Sequence, residues 1–426
     1  MLPRLFLIAV TVLIAGPSFA EEEDPLYITA DALIDVERGV RVEGPVIVVE
    51  GQRIAMVGSL AAMTWPADAR QLHLPGHTLL PGLMDMHVHL SGNATIPFFE
   101  GLSHSIPRQT VTAVGNARRS LMAGFTTVRD VGAAGYSVIG VRDGINAGDI
   151  EGPRIFASGP ALGVTGGHCD NNFPPPEQKI IAEGVADGPW AARAKVRENI
   201  KYGADLIKFC ATGGVFSKGT KVGIQQYTQE EMTAIVEEAH LRGLTVAAHA
   251  HGTDGIKAAI RAGVDSVEHA SFLDAEAIAL AKEYGTALSM DIYNTEYTLT
   301  YGEENGVPEE NLDKERQVSK AQRDSFTAAV RAGVTIVFGT DAAIYPHGDN
   351  ARQFARMVRF GMTPIQAIRS ATIQSARLLR KENELGVLKQ GYLADIIAVS
   401  GDPLADVSVL ENVTFVMKDG AVYKAP

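Results

Sequence analysis

The chain has 426 residues, 46% of them hydrophobic and 21% charged, so it can bury a large core and is too apolar for a disordered or fibrous polymer. A formal charge of −12 with no basic block argues against nucleic acid or an anionic membrane surface as a partner, because phosphate binding relies on clustered Lys and Arg.

Arg4 precedes an apolar run from Leu5 to Ala15, and Ser18-Phe19-Ala20 has the small-x-small pattern of a signal peptidase site. The run is shorter than the roughly 20 residues that span a bilayer. Residues 1–20 are therefore expected to be a cleaved signal peptide, giving an exported protein, periplasmic or secreted, with no stable membrane insertion. Residues 21–80 then read as short strands and turns, as in Gly44-Pro45-Val46-Ile47-Val48-Val49-Glu50-Gly51. Residues 385–426 read the same way, with Ala394-Asp395-Ile396-Ile397-Ala398-Val399 and Val413-Thr414-Phe415-Val416-Met417. Neither piece closes a core alone, so one small β-sandwich domain built from both chain ends is expected.

Between them, residues 81–384 repeat a helix, a glycine and a short apolar strand. The pattern recurs at Gly124, Gly148, Gly203, Gly243, Gly263, Gly285 and Gly333. With the strand that ends at His87-Val88-His89, it predicts eight strands. Thr228-Gln229-Glu230-Glu231 is a capping box, and Thr363-Pro364 opens the last long helix. This alternation predicts an α/β fold, a (β/α)8 TIM barrel, over an open doubly wound sheet; no Gly-x-Gly-x-x-Gly follows the first strand.

Catalytic groups of such a barrel sit at the C-terminal ends of its strands. Alternation along strand one points both His87 and His89 to one face. Strand four carries Lys208, strand five ends at His249, strand six at His269 and strand eight at Asp341. Each histidine alone could be a core or surface residue, and Asp341 could be a cap. An amine inside Leu206-Ile207-Lys208-Phe209 is harder to place, because a buried charge is costly without a partner. Together, imidazoles and a carboxylate suit Zn²⁺ or a similar divalent ion with an open position for water, whose pKa falls to about 7. A metal-dependent hydrolase follows. Cys169 and Cys210 are too few for a disulfide framework and are expected as buried free thiols, although an exported protein could join them.

Pro81-Gly82-Leu83-Met84-Asp85-Met86-His87-Val88-His89, Ala371-Thr372 and Gly391-Tyr392-Leu393-Ala394-Asp395-Ile396 resemble the amidohydrolase superfamily, and the resemblance covers essentially the whole mature chain. Lys208, in Gly203-Ala204-Asp205-Leu206-Ile207-Lys208, matches the strand-four lysine that is carboxylated in binuclear members. The resemblance implies two divalent metal ions, Zn²⁺ first among them, bridged by a CO₂-derived carbamate on Lys208 and by a hydroxide. His87, His89 and Asp341 would hold the more buried ion, and His249 and His269 the other. Asp341 would also take the proton of the attacking hydroxide and pass it to the leaving amine.

Ala211-Thr212-Gly213-Gly214-Val215, Gln226-Tyr227-Thr228 and His249-Ala250-His251-Gly252 are similar to the metallo-dipeptidases of the Xaa-Pro dipeptidase and imidazolonepropionase-like branch, which includes carboxypeptidases and ochratoxin-cleaving enzymes. That implies a small-molecule substrate: a dipeptide or N-acyl amino acid with a free C-terminal carboxylate, ochratoxin-like amides included. Tyr227 and backbone near Val215 would bind the carboxylate, and His168 would polarise the scissile carbonyl. Tyr227 could instead be a packing residue at the helix entry. His251 and Ser91 would face the substrate, with a structural role open for each. Cyclic amides, lactones and deamination are the enzymatic alternatives. One-metal deaminases usually lack the strand-four lysine and carry Glu where this chain has Gly252. A catalytically silent binding protein would show a missing ligand, and none is missing. The acidic stretch from Asn294 to Lys314 is expected to be a specificity loop or a solvated surface loop, and homo-oligomerisation is left open.

Overall fold

The computed structural model describes residues 24–426, and the predicted signal peptide lies outside the described residues. Near the start of the described chain come β1 (Leu26–Asp35), β2 (Val40–Glu43), β3 (Pro45–Glu50), β4 (Arg53–Ser59) and β5 (Arg70–Pro81). The C-terminal stretch supplies β14 (Ile396–Ser400), β15 (Val413–Lys418) and β16 (Ala421–Lys424). The two ends meet in one sheet of order β16-β15-β14-β5-β1-β3-β4, with β2 also on β1. The seam is antiparallel, Ile396 opposite Pro81 and Ile397 opposite Leu80. Ile28 and Ala30 alternate onto one face of β1, and an irregularity in the β1–β5 register between Leu74 and Thr78 brings both Leu74 and Leu79 to the same core as Ile396, Phe415 and Met417, distinct from the main one.

The central segment contributes β6 (Leu83–Val88), β7 (Phe125–Asp130), β8 (Arg154–Ala157), β9 (Leu206–Cys210), β10 (Thr245–Ala250), β11 (Ser266–His269), β12 (Ala287–Ser289) and β13 (Ile336–Val337). These are the eight strands the glycine pattern predicts. All pair in parallel, in the orders β6-β7-β8 and β9-β10-β11-β12-β13. Every strand of β6 to β13 is followed by at least one helix, and most residues of these strands are buried. Backbone bonds also run between the two sheets. At one edge, Met86 N–H donates to Phe338 O (2.7 Å) and His89 N–H to Ala342 O (2.9 Å). At the other, Leu162 N–H donates to Lys208 O (2.8 Å) and Cys210 N–H to Leu162 O (2.9 Å).

Thr228 forms the predicted capping box with Glu231, and Thr363 forms one with Gln366. The helix that Thr363 opens is short, Pro364–Ser370; the chain breaks at Thr372 and resumes as Ile373–Leu378. The acidic stretch from Asn294 is mostly helical rather than a loop, with helices Asn294–Tyr301 and Glu309–Ala332 that bring Asn294, Thr295 and Glu315 to a central cavity. Cys169 and Cys210 are not free thiols. They form a disulfide, with Cα atoms 5.9 Å apart. The expectation weighed only the count of cysteines, whereas pairing depends on distance, and residues 41 apart in sequence meet beside β9.

Candidate metal centre

The C-terminal ends of β6, β9, β10 and β11 and the segment after β13 surround a cavity of about 280 Å³. Its walls include His87, His89, Lys208, His249, His251, His269 and Asp341. Two groups of donor atoms lie within 4.8 Å of one another: His87, His89 and Asp341, and His249, His251 and His269. A third, His269, Asp291 and Asp341, links them. His269 and Asp341 hold left-handed backbone conformations (φ 69° and 56°), uncommon for residues with side chains and a frequent mark of functional positions.

Four of the rings are oriented through Nδ1. His87 Nδ1 lies 2.9 Å from Glu268 Oε2, His89 Nδ1 2.8 Å from Gly132 O, His251 Nδ1 2.8 Å from Ser271 Oγ and His269 Nδ1 3.0 Å from Asp291 Oδ1. A carboxylate or carbonyl on Nδ1 fixes the proton there and leaves the Nε2 lone pair for a cation. For His249 the sign is more direct: its Nε2 is buried and has no hydrogen-bond partner. An orphaned ring nitrogen among other imidazoles fits a metal ligand, because a buried polar atom left unsatisfied is costly.

Electrostatics keep three of the rings neutral and leave His87 to exchange a proton for a cation. Burial lowers His89 to about 4, and burial with neighbouring imidazoles holds His249 and His251 well below the ordinary histidine range. They are neutral donors. Burial and Lys208 also push His87 down, but Asp341 and Glu268 outweigh them and carry it up to about 9. Asp341 Oδ1 sits 3.4 Å from His87 Nε2 and 3.5 Å from His89 Nε2, while Oδ2 accepts from Asn294 Nδ2 at 3.0 Å. Burial works against its charge, yet His87 and His89 hold it far below the usual carboxylate range. Burial pulls Lys208 down to about 8 against the opposing pull of Glu268 and Asp341. The shift raises the share of free amine, the form that reacts with CO₂.

His168 also lines the cavity, with Nδ1 2.9 Å from Ser217 Oγ and its ring stacked 4.1 Å from that of His249. Burial lowers it to about 3. Val215 lines the cavity too, and its carbonyl accepts from the Asn311 side chain. Ser91 lies in an adjoining compartment beside His89. Tyr227 is the correction. It is fully buried, its hydroxyl donates to Ala186 O (3.0 Å), and its ring packs edge-on to Phe209, so it is held outside the cavity lining. Gly252 is also explained: a Cβ there would collide with the Gly223 carbonyl oxygen, which leaves no room for an acidic side chain.

Glu268, Asp291 and Arg129 escaped the sequence analysis. Arg129, buried on β7, donates to Met86 O (2.6 Å), Ser266 Oγ (3.0 Å) and Glu268 Oε1 (2.8 Å), which braces the carboxylate that orients His87. The available signal was a charged residue inside Phe125-Thr126-Thr127-Val128-Arg129-Asp130 and another in Ser266-Val267-Glu268-His269.

The amidohydrolase family model matches residues 78–423. The chain is 35% identical over 405 residues to an ochratoxinase of Aspergillus niger, covering 89% of this chain and 83% of that one. Among solved structures it is similar to an Xaa-Pro dipeptidase with methionine bound in the active site, at a TM-score of 0.86 and 40% identity over 94% of this chain and 100% of that one. It is also similar to a prolidase complexed with N-methylphosphonate-L-proline, at a TM-score of 0.86 and 30% identity over 94% and 100%.

Proposed function

The chain belongs to the amidohydrolase family and is a hydrolase of small-molecule amides; we propose that it cleaves dipeptides or N-acyl amino acids with a free C-terminal carboxylate at a centre of two divalent metal ions. Similarity to an ochratoxinase and to an Xaa-Pro dipeptidase supports this class, ochratoxin-like amides included. We read the two parallel sheets as one (β/α)8 barrel, supported by the backbone bonds between their edges, with the terminal sheet as a composite domain of residues 21–80 and 385–426. Export behind a cleaved leader is supported by the Cys169–Cys210 bridge, since disulfides persist in oxidising compartments.

One observation carries the metal assignment: imidazoles pinned on one nitrogen converge with the other on a single cavity, and His249 Nε2 has no partner. His87, His89 and Asp341 would hold one ion, and His249 and His269 the other. Lys208, as its carbamate, would lie between them, and the preference for Zn²⁺ follows from imidazole and carboxylate donors. Such ions supply a water acidified enough to attack at neutral pH and polarise the scissile carbonyl. Asp341, with Oδ2 steadied by Asn294, is placed to hold a proton and deliver it to the leaving amine. His168, kept neutral and fixed by Ser217, would donate from its remaining ring nitrogen to the carbonyl oxygen. With Tyr227 buried elsewhere, backbone at Val215 and the His251 ring are left to receive the substrate carboxylate.

Lys208→Ala tests this reading. Metal analysis of purified wild type is expected to give about two ions per chain, and the variant is expected to lose metal and activity, with partial rescue by short carboxylic acids. Wild-type rates in the variant, or full amidase activity in metal-free protein, would overturn it. A library of dipeptides and N-acyl amino acids, assayed with metal-loaded enzyme, defines the substrate.

A further inference from the structure

A second cavity, of about 350 Å³, opens beside the metal cavity and shares His89, Phe216 and Ile344 with it. Its walls come from the segment that follows β6, from the helix Asn294–Tyr301 with the link after it, and from the segment after β13. The two compartments differ in charge. Lys208, Asp291, Glu315 and Asp341 line the metal cavity, whereas no Lys, Arg, Asp or Glu is among the described residues that line the second. Several of its polar side chains are already engaged: Gln109 Nε2 donates to His104 O (3.0 Å), Thr298 Oγ1 to Asn294 Oδ1 (3.1 Å), and Asn93 Oδ1 accepts from Thr95. Much of the remaining wall is apolar, with Ala94, Ile96, Pro97, Val307 and Ile344.

We propose that this annex binds the uncharged, apolar group on the acyl side of the scissile bond, an aromatic or branched aliphatic group in particular. The inference rests on the carboxylate-ended amide as substrate class. An N-acyl amino acid, the member of that class the annex suits, has one charged half and one uncharged half. Among the described residues no Lys or Arg side chain lines the annex, whereas the proposed ions would stand in the metal cavity, so the charged half belongs beside the ions and the apolar half in the annex. The volume falls in the range of small-molecule pockets, enough for a fused aromatic ring system. Apolar surface buried there is remote from the reacting atoms, and its binding energy orients the amide for attack.

Filling the annex from two walls, with Ala94→Trp and separately Val307→Trp, tests the assignment. For metal-loaded wild type, kcat/KM for N-(2-naphthoyl)-phenylalanine is expected to exceed that for N-formyl-phenylalanine by about tenfold or more. Each variant should keep its metal content, lose about tenfold or more on the naphthoyl substrate and change less than about threefold on the formyl one. Calorimetric binding of 2-naphthamide, which needs no turnover, should weaken in both variants. Equal loss on both substrates, or unchanged naphthamide binding in both variants, overturns the proposal. Weakened naphthamide binding in a protein that hydrolyses no N-acyl amino acid would overturn the substrate class and leave the annex standing.

Discussion

Glu268→Gln separates what the buried carboxylate does for the fold from what it does for the metal site. Glu268 is fully buried and accepts from Arg129, Ser266 and the His87 ring. In the variant, Arg129 retains an acceptor only if the amide oxygen faces it, which turns the amide N–H₂ toward His87. Two losses follow. Arg129 becomes a buried charge without its counter-charge, which costs about 3–5 kcal/mol, a large share of the stability of an ordinary domain. The amide also donates to His87 Nδ1, so the ring proton moves to Nε2 and the nitrogen facing Asp341 no longer offers a lone pair. Loss of such an orienting partner weakens metal binding roughly 10–100-fold. Chemical denaturation of chelated protein measures the first effect, and chelator competition measures the second. The double variant Arg129→Met/Glu268→Leu removes both the stranded charge and any acceptor for the His87 ring, so it should recover most of the stability and none of the metal affinity. Wild-type metal affinity in the double variant would refute the orienting role of Glu268.

Further outcomes follow from other contacts. The Cys169→Ser/Cys210→Ser variant should lose up to about 4 kcal/mol of stability, the chain-entropy value for a link across 41 residues; two titratable thiols in denatured, unreduced wild type would contradict the bridge. Tyr227→Phe strands the Ala186 carbonyl and should cost about 1–3 kcal/mol, with KM shifting equally for carboxylate-ended and carboxamide-ended substrates. A KM rise confined to the carboxylate series would return Tyr227 to substrate binding. Burial raises Glu315 to about 7 from an unfolded value of 4.5, so its stabilising contribution is complete below pH 4.5 and is lost as pH rises through 7. Relative to wild type, chelated Glu315→Gln should therefore gain up to about 3 kcal/mol between pH 4.5 and 8 in denaturant titrations. A pH-independent difference would refute the ionisation.

Local chemistry explains which parts were legible in the sequence. Seven of the eight parallel strands announced themselves because each follows a glycine that ends a helix, and the eighth, β6, was read from its end at His87-Val88-His89. His87, His89, Lys208, His249, His269 and Asp341 were visible because polar side chains at the ends of apolar strands have few other uses. Glu268 was hidden although it adjoins His269, since its partner His87 lies 181 residues away. Tyr227 was misplaced for the converse reason. Its neighbours in sequence suggest a substrate loop, but the hydroxyl is claimed by Ala186, 41 residues earlier. The Cys169–Cys210 pair likewise depended on a distance that no spacing rule gives.

The arrangement of orienting groups has a consequence for folding. The group that fixes each ring mostly comes from another strand or the segment after it. Glu268 on β11 fixes His87 on β6, Asp291 beyond β12 fixes His269 on β11, and Ser271 beyond β11 fixes His251 beyond β10. No single βα unit therefore holds a finished ligand set, and affinity for metal arises only when β6 and β11 are both in place. Ions that bind the native state and not the unfolded chain stabilise it by mass action, about 4 kcal/mol at a thousandfold excess over the dissociation constant. In the proposed centre that gain would offset what the fold loses by burying Lys208, Asp341 and several imidazoles at one point, so bound ions would also hold together the strands that carry their ligands.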